Sequence, residues 1–429
     1  MRIIELNSEN LESKLKGIRG ITPLHDRSYE VIVKKIVDEV RVNGDKALFK
    51  FTKRFDRFDV SRKTVRVSKL ESEIARKKVP HEVASSLKIA ASRIYTYQRK
   101  KLPREKFYSD TLGNELGWIM RPIERVGIYV PGGKASYPST VLMTAIPAKV
   151  AGVKEVVLVT PCPEGELNPS VLVAASLAGV DGIFKVGGAQ AVAALAYGTE
   201  SIPKVDKIVG PGNIYVSIAK KLVFGEVDID MIAGPSEVLI ISDGSLPPKW
   251  VAADLLAQAE HDEMAVAILV TNSKGFALNV RQEILRSLKH LKRSDIIRKA
   301  LQNQGRIYLV NSLEDAVSVS NIVAPEHLEL CVKKPKSLLK WVKNAGAIFL
   351  GSLSAEAFGD YVAGSSHVLP TSGAARFSSP LSVYDFLKMP SVLSISKKGF
   401  KKLGKTVISL ANSEGLEAHS LSVKVRYDS

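Results

Sequence analysis

One pattern limits this chain more than any other: short β-branched runs alternate with Ala-rich helical stretches, and they do so in two successive series. In the first series RVGIYV, EVVLVT, GIFKVG and DKIVG are separated by segments such as TVLMTAIPAKVAG and AQAVAALAYG. Short apolar runs without polar alternation are strands buried on both faces, and a helix between consecutive strands makes them parallel. The second series is SEVLIIS, VAADLLAQAEHD, MAVAILVT, a polar-faced helix near Arg281 to Leu291, GRIYLV and GAIFLG. A βαβ rhythm met twice predicts an α/β protein of two Rossmann-like domains with parallel sheets, packed around a cleft.

The flanks have a different texture. From Arg27 to about Arg104 apolar residues such as Val31, Ile32, Ile36 and Val40 recur at helical spacing, which predicts amphipathic helices of a scaffold or lid. After Ser379 the rhythm is lost, and the tail reads as a small separate lobe available for dimer contacts.

Composition narrows the classes of function. A chain of 429 residues that is 45% hydrophobic can bury a sizeable core. The opening MRIIELNSENLESKLKGIRG is charged every few residues and has no apolar secretory core. No run approaches the roughly 18 apolar residues of a membrane span. Two cysteines, Cys162 and Cys331, make no disulfide framework, so a reducing cytoplasm is the expected location. The formal charge of +17 would suit a polyanion partner. However, the basic residues of KKIVDEVRVNGDK, TKRFDRFDVSRK, YQRKKLPREK and KKGFKKLGK are diluted by acids and apolar helix positions, and read as solvated faces. Neither specific nucleic-acid binding nor a membrane is expected.

Three strand ends of the first series run into glycine turns and then helices: Val130 to Gly133 (VPGG), Val186 to Gln190 (VGGAQ) and Val209 to Asn213 (VGPGN). Glycine allows backbone to approach a phosphate, and a helix N-terminus offers unpaired N–H groups. No GxGxxG occurs, so these turns have two readings, a dinucleotide cradle or tight turns serving the fold alone.

The acid-base chemistry lies elsewhere. LLAQAEHDE sets Gln258 and His261 three residues apart, on one face of a helix. APEHLEL brings adjacent Glu326 and His327 after Pro325, FGDYVAGSSHVLPT contains Asp360 and His367, and EGLEAH contains Glu414 and His419. Four of the seven histidines lie in these segments, whereas His25, His81 and His290 have polar or basic neighbours and are expected at the surface. Two imidazoles, a carboxylate and an amide oxygen suit zinc, while a carboxylate beside an imidazole suits a reaction that removes several protons. Each histidine taken alone could equally be a structural hydrogen-bonder.

The ordered set YVPGG, GGAQAVAALAYGT, VGPGN, AGPSE, AQAEHD, APEHLE, FGDY and EGLEAH resembles the histidinol dehydrogenase family from about Ile21 to the C-terminus. The resemblance implies an oxidoreductase acting on CH–OH with an aldehyde-dehydrogenase-like fold. The reaction it implies is the four-electron oxidation of L-histidinol through L-histidinaldehyde to L-histidine, with NAD as oxidant, as the last step of histidine biosynthesis. It implies one zinc per subunit on Gln258, His261, Asp360 and His419, with Glu326 activating water and His327 as the principal proton acceptor. Tyr129, Gln190 and Asn213 match NAD-contacting positions. Ser236, His367 and Glu414 would join the four zinc ligands, Glu326 and His327 around the substrate. A homodimer is implied, its C-terminal lobe carrying Glu414 and His419 into the partner's site.

The loop after FGDY departs from the family's usual AGPNH, with Ser365 and Ser366 before His367. The expected division is an N-terminal arm over 1–25, an NAD-binding domain over 126–236, a discontinuous domain of 26–125 and 237–379 carrying the zinc and acid-base residues, and a dimerisation lobe over 380–429. Three rivals make different use of the same features: a zinc hydrolase without cofactor, a thiol-dependent aldehyde dehydrogenase using Cys162 or Cys331, and a polyanion binder.

Overall fold

The computed structural model describes residues 1–6, 11, 15, 27–132 and 137–427. The β-branched runs form strands and the Ala-rich stretches form helices in both series. In the first sheet the strands lie in the order Gly182–Phe184, Glu155–Val159, Arg125–Tyr129, Lys207–Val209 and Asp228–Ile229, all parallel. In the second the order is Arg2–Glu5, Arg306–Leu309, Val266–Thr271, Glu237–Ser242, His327–Cys331 and Ala347–Leu350, again all parallel. Apart from the edge strand Arg2–Glu5, each sheet starts at its centre, runs outward to one edge, and returns to the other side of its first strand. That return is the topological switch point at which open α/β sheets leave a crevice.

The strands are buried because helices cover both faces. Val157, Val159 and Ile208 of the first sheet pack with Val192 and Leu195, while Ile128, Val156 and Leu158 face Val141, Leu142 and Met143. The second sheet packs Val238, Ile240 and Leu269 against Val251 and Leu255, and packs Leu239, Ile241 and Leu328 against Val319 and Val323.

The flanks depart from the expected division. Helices Arg27–Asp56, Lys69–Lys78 and His81–Lys101 pack on the first sheet, through Val33, Val37, Val40 and Leu48 on one face and Leu87 and Ile94 on the other. They do not group with 237–379, because periodicity marks the apolar face of a helix and not the sheet which that face will cover. Arg2–Glu5 pairs with Arg306–Leu309, so the first residues belong to the edge of the second sheet. Most of 7–25, His25 included, lies outside the described residues. The C-terminal lobe also takes in an earlier segment: Ser391–Ser394 pairs antiparallel with Glu115–Trp118, which pairs with Lys106–Ser109. Helices Lys397–Ser413 and Glu417–Lys424 complete it.

Basic residues of the first long helix lie on its solvated side, paired as Lys34–Asp38 and Lys50–Glu39. Exposed pairs of this kind contribute little to stability. Among the described residues no helix is long and apolar enough to cross a membrane.

Candidate active site

A cleft of about 590 Å³ runs between the two sheets. Pro131 and Gly210 to Asn213 line it from the carboxyl ends of the first sheet's central strands, and Ser236, Glu326 and His327 from the amino ends of the second sheet's. The two halves therefore meet carboxyl end to amino end. The wall also holds Gln258, His261, Asp360 and His367, so one cavity gathers most of the acid-base segments with two of the glycine turns.

Each side chain is set by a local device. Helix Leu313–Val323 ends at Ala324 in the left-handed region (φ 54°), Pro325 follows, and the chain enters strand His327–Cys331. This sharp reversal delivers Glu326 and His327 together at the strand's amino end. Helix Pro248–Ala259 carries Gln258 in its last turn, but His261 stands just past the helix, where its N–H donates to the Gln258 carbonyl at 3.3 Å. Both side chains still reach the cleft, though not from successive turns of one helix.

His327 has its two ring nitrogens in different surroundings. Nδ1 lies 3.1 Å from the Glu237 carbonyl oxygen, to which only an N–H can donate, while Nε2 has no hydrogen-bond partner and lies 3.5 Å from Asp360 Oδ1. Burial pushes the ring's pKa down, but the negative charges of Glu326, Asp360 and Glu356 outweigh it and lift the ring to about 10. A cation held by Asp360 would withdraw part of that stabilisation.

Glu326 Oε2 accepts the Glu237 N–H at 2.8 Å, and burial pushes the carboxyl up to about 8 despite the neighbouring imidazole. The Glu237 carboxyl, also desolvated, is raised to about 7 while accepting the Ser372 N–H at 3.0 Å. Several carboxyls around one imidazole make a site that stores protons near neutral pH.

His367 is pinned at both nitrogens: Nδ1 lies 3.0 Å from the Asp360 carbonyl oxygen and Nε2 lies 3.0 Å from Thr140 Oγ1. Burial holds this ring below the usual histidine range, so it donates through Nδ1–H and accepts the threonine hydroxyl. The two serines of the departing loop do not displace it. Ser366 Oγ accepts the Val368 N–H at 3.1 Å, and Gly364 supplies the positive φ of 99° on which the loop turns.

Gln258, His261 and Asp360 are a donor set suited to zinc. Gln258 is 1% exposed, and its amide nitrogen has no partner. A buried amide end left unpaired is costly; with the amide turned by 180° that end is the oxygen, which a bound cation would satisfy. His261 is open to the cleft, with its pKa lowered by desolvation, while hydrogen bonding and charge hold Asp360 below the usual carboxylate range against its burial. A neutral imidazole and an ionised carboxylate are the ligand forms zinc requires.

A second group, Asp254, Glu329 and Cys331, brings its ligand atoms within 4.8 Å of one another. Burial and the Asp254 charge raise Glu329 to about 8, and the two carboxyls share a hydrogen bond. This is a proton-sharing acid pair behind the active site. Cys331 adds only a thiol 3.6 Å from Glu329.

The Histidinol dehydrogenase family model matches residues 22–427. A histidinol dehydrogenase from Syntrophotalea carbinolica is 53% identical over 428 residues, covering 99% of both chains. One from Geobacter sulfurreducens is 51% identical, covering 99% of this chain and 100% of that one. A solved histidinol dehydrogenase structure from Elizabethkingia anophelis superposes with a TM-score of 0.94 at 37% identity, covering 100% of this chain and 98% of that one. The chain belongs to the histidinol dehydrogenase family.

It is accordingly an oxidoreductase, and the hydrolase and polyanion readings fall away as its main role. The structure is specific about where the residues matched to the family stand. Ser236, Gln258, His261, Glu326, His327, Asp360 and His367 share the cleft. Glu414 and His419 do not line it; they are exposed where the two C-terminal helices meet.

Of the residues matched to cofactor positions, only Asn213 lines the cleft, and its Oδ1 caps helix Ile214–Val223 by accepting the Tyr215 and Val216 N–H groups. Tyr129 is buried behind the turns, where its hydroxyl accepts the Gly188 N–H at 3.0 Å, and Gln190 is buried too. Three N–H groups at these turns, those of Gly188, Tyr215 and Val216, are thus already satisfied. Gly133 lies outside the described residues. His81 and His290 are exposed, as expected.

Sequence reasoning passed over Glu237, Glu356 and Thr140. Glu237 opens a strand and Thr140 lies in the first turn of a helix, so neither is marked by spacing. The only signal for Glu356 was a carboxylate one helical turn before Asp360.

Proposed function

We propose that this protein oxidises L-histidinol through L-histidinaldehyde to L-histidine, with NAD as the electron acceptor and one zinc ion per subunit, in histidine biosynthesis. The observation that carries the reading is the single cleft joining glycine turns to Gln258, His261, Asp360, Glu326 and His327. Gln258, His261 and Asp360 would hold the zinc, and the turns at Pro131 and Gly210 to Asn213 would receive the dinucleotide. Bound zinc supplies electrostatic anchoring of the substrate's nitrogens without redox change, and bound NAD accepts a hydride at each oxidation.

The chain's own residues manage protons and water. In the first oxidation the alcohol loses a hydride and its hydroxyl proton, giving the aldehyde. With Asp360 engaged by the ion it would hold, the charge that raises the His327 ring is partly withdrawn; the neutral ring then takes the proton at Nε2, while Nδ1–H stays on the Glu237 carbonyl and fixes the tautomer. In the second, a water molecule adds to the aldehyde carbon as Glu326 removes its proton. The resulting anion of the hydrate then gives up a hydride and its remaining hydroxyl proton, the proton passing to His327 Nε2, and the product leaves as a carboxylate. The Glu237 N–H fixes one Glu326 oxygen, so the base is oriented before water arrives. Ser236 contacts the substrate from the cleft wall, and His367 acts mainly by holding the Asp360 segment through that residue's carbonyl.

The fourth zinc ligand, His419, and a substrate contact, Glu414, come in this reading from the C-terminal lobe of a second copy. The exposed apolar residues Leu403, Val407, Leu410, Leu421 and Val425 on those helices support a homodimer. The test is His261→Asn, which is expected to lower zinc content and turnover together. Full zinc occupancy at the normal rate would contradict the ligand set.

A further inference from the structure

Helix Ile214–Val223 buries a lysine that the proposed chemistry does not use. Lys220 is 2% exposed, and its ammonium donates to the Gly210 carbonyl at 3.0 Å and pairs with Asp230, whose carboxylate is fully buried. Asp230 in turn accepts the Gly210 N–H at 2.7 Å through Oδ2 and the Met231 N–H at 2.6 Å through Oδ1. Both polar groups of one glycine are therefore held by the two members of one buried ion pair. That glycine opens the turn of Gly210 to Asn213, and both Lys220 and Asp230 reach the cleft wall.

Gly210 needs such support. Its φ is +112°, and its backbone lies so close to the neighbouring strand that an added Cβ would stand 2.1 Å from the Tyr129 oxygen. An L side chain is excluded, and a glycine so placed has access to many other conformations once its hydrogen bonds are lost. A neutral bond would satisfy the backbone alone. A desolvated charge pair satisfies it with a stiffer connection, because removing either partner leaves the other charge buried.

We infer that Lys220 and Asp230 are positioning residues that hold the Gly210–Asn213 turn in the conformation that accepts the dinucleotide. This rests on the NAD reading above. The pair acts on the turn and not on the substrate wall, because the segment running from Asp230 to Ser236 has its own ties: Ser217 Oγ donates to the Ala233 carbonyl at 3.1 Å, and the Gly234 N–H donates to Thr371 Oγ1 at 2.6 Å. Loss of the pair should therefore weaken NAD and spare histidinol.

The test is the double variant Lys220→Met with Asp230→Asn in the full-length protein. It leaves no unpaired charge in the interior, keeps one amide oxygen for the Gly210 N–H while giving up the acceptor of the Met231 N–H, and frees the Gly210 carbonyl. The expected result is a KM for NAD raised at least fivefold, with kcat and the KM for histidinol within about twofold, zinc content unchanged and a Tm close to the parent's. A purely structural pair would lower Tm and leave the NAD KM alone, and that outcome overturns the inference. If the double variant does not accumulate, Asp230→Asn alone is expected to raise the NAD KM at least threefold, and an unchanged value overturns the inference equally. Failure of the parent protein to bind NAD in a direct titration, with histidinol still bound, would instead sink the cofactor reading.

Discussion

Replacing Glu326 by Gln separates the two oxidations. The amide keeps an oxygen for the Glu237 N–H, now 2.8 Å from Oε2, so the side chain stays in place and only the ability to take a proton is lost. A positioned general base contributes about 10² to 10⁴ in rate, equivalent to about 3–5 kcal/mol of barrier. The aldehyde step, which needs activated water, should slow by that factor. The alcohol step, assigned to His327, should slow less than about tenfold, reflecting the altered charge beside the imidazole.

The pH dependence sharpens the same prediction. Burial raises Glu326 to about 8, so the ionised base accumulates as pH rises through that value, and the aldehyde step should quicken along a limb whose midpoint lies near pH 8. A cation at Asp360 would move this limb to lower pH. In Glu326→Gln the limb should vanish. Single-turnover measurements of NADH formation, started separately from histidinol and from histidinaldehyde across pH 6 to 9, read both effects. Equal slowing of the two steps, or an intact limb in the variant, would refute the water-activating role.

Other consequences concern groups behind the cleft. Glu329 has a folded-state pKa raised to about 8, mainly by burial and then by the Asp254 charge. The stability associated with a raised folded pKa is fully present below the unfolded value near 4.5 and is lost progressively as pH rises from there to about 8. Glu329→Gln should therefore flatten the fall of Tm between about pH 5 and 8, and a slope unchanged from the parent's would contradict the assignment. Burial pushes the Cys162 thiol up to about 12 and Cys331 higher still, and neither lines the cleft. The Cys162→Ser, Cys331→Ser double variant should keep its turnover, whereas loss of activity in a folded variant would revive the thiol route.

Much of this architecture was legible because buried parallel strands advertise themselves. EVVLVT and SEVLIIS are apolar on both faces, and only a sheet covered by helices accommodates them. Edge elements lack that signature: Asp228–Ile229 is two residues long, and Lys106–Ser109 is exposed along its length. The grouping of 26–125 with the second sheet failed because an amphipathic helix such as Arg27–Asp56 shows which face is apolar and nothing about its partner.

At the site, residue types predicted which groups would gather, but not how they are occupied. Asn213 and Tyr129 are taken up by Tyr215, Val216 and Gly188, and no spacing rule shows such commitments. Lys220 reads in sequence as one more basic residue on an amphipathic helix. The alternation in VDIDM puts Asp230 on the face of the exposed Asp228, so nothing in the sequence marks its carboxylate as buried.

The most direct test of the central claim counts NADH formed per mole of L-histidinol consumed, with zinc-loaded protein, with protein stripped by a chelator, and after zinc is restored. Two NADH per histidinol, lost on stripping and recovered with zinc, is the predicted result. No NADH from the zinc-loaded protein would contradict the account.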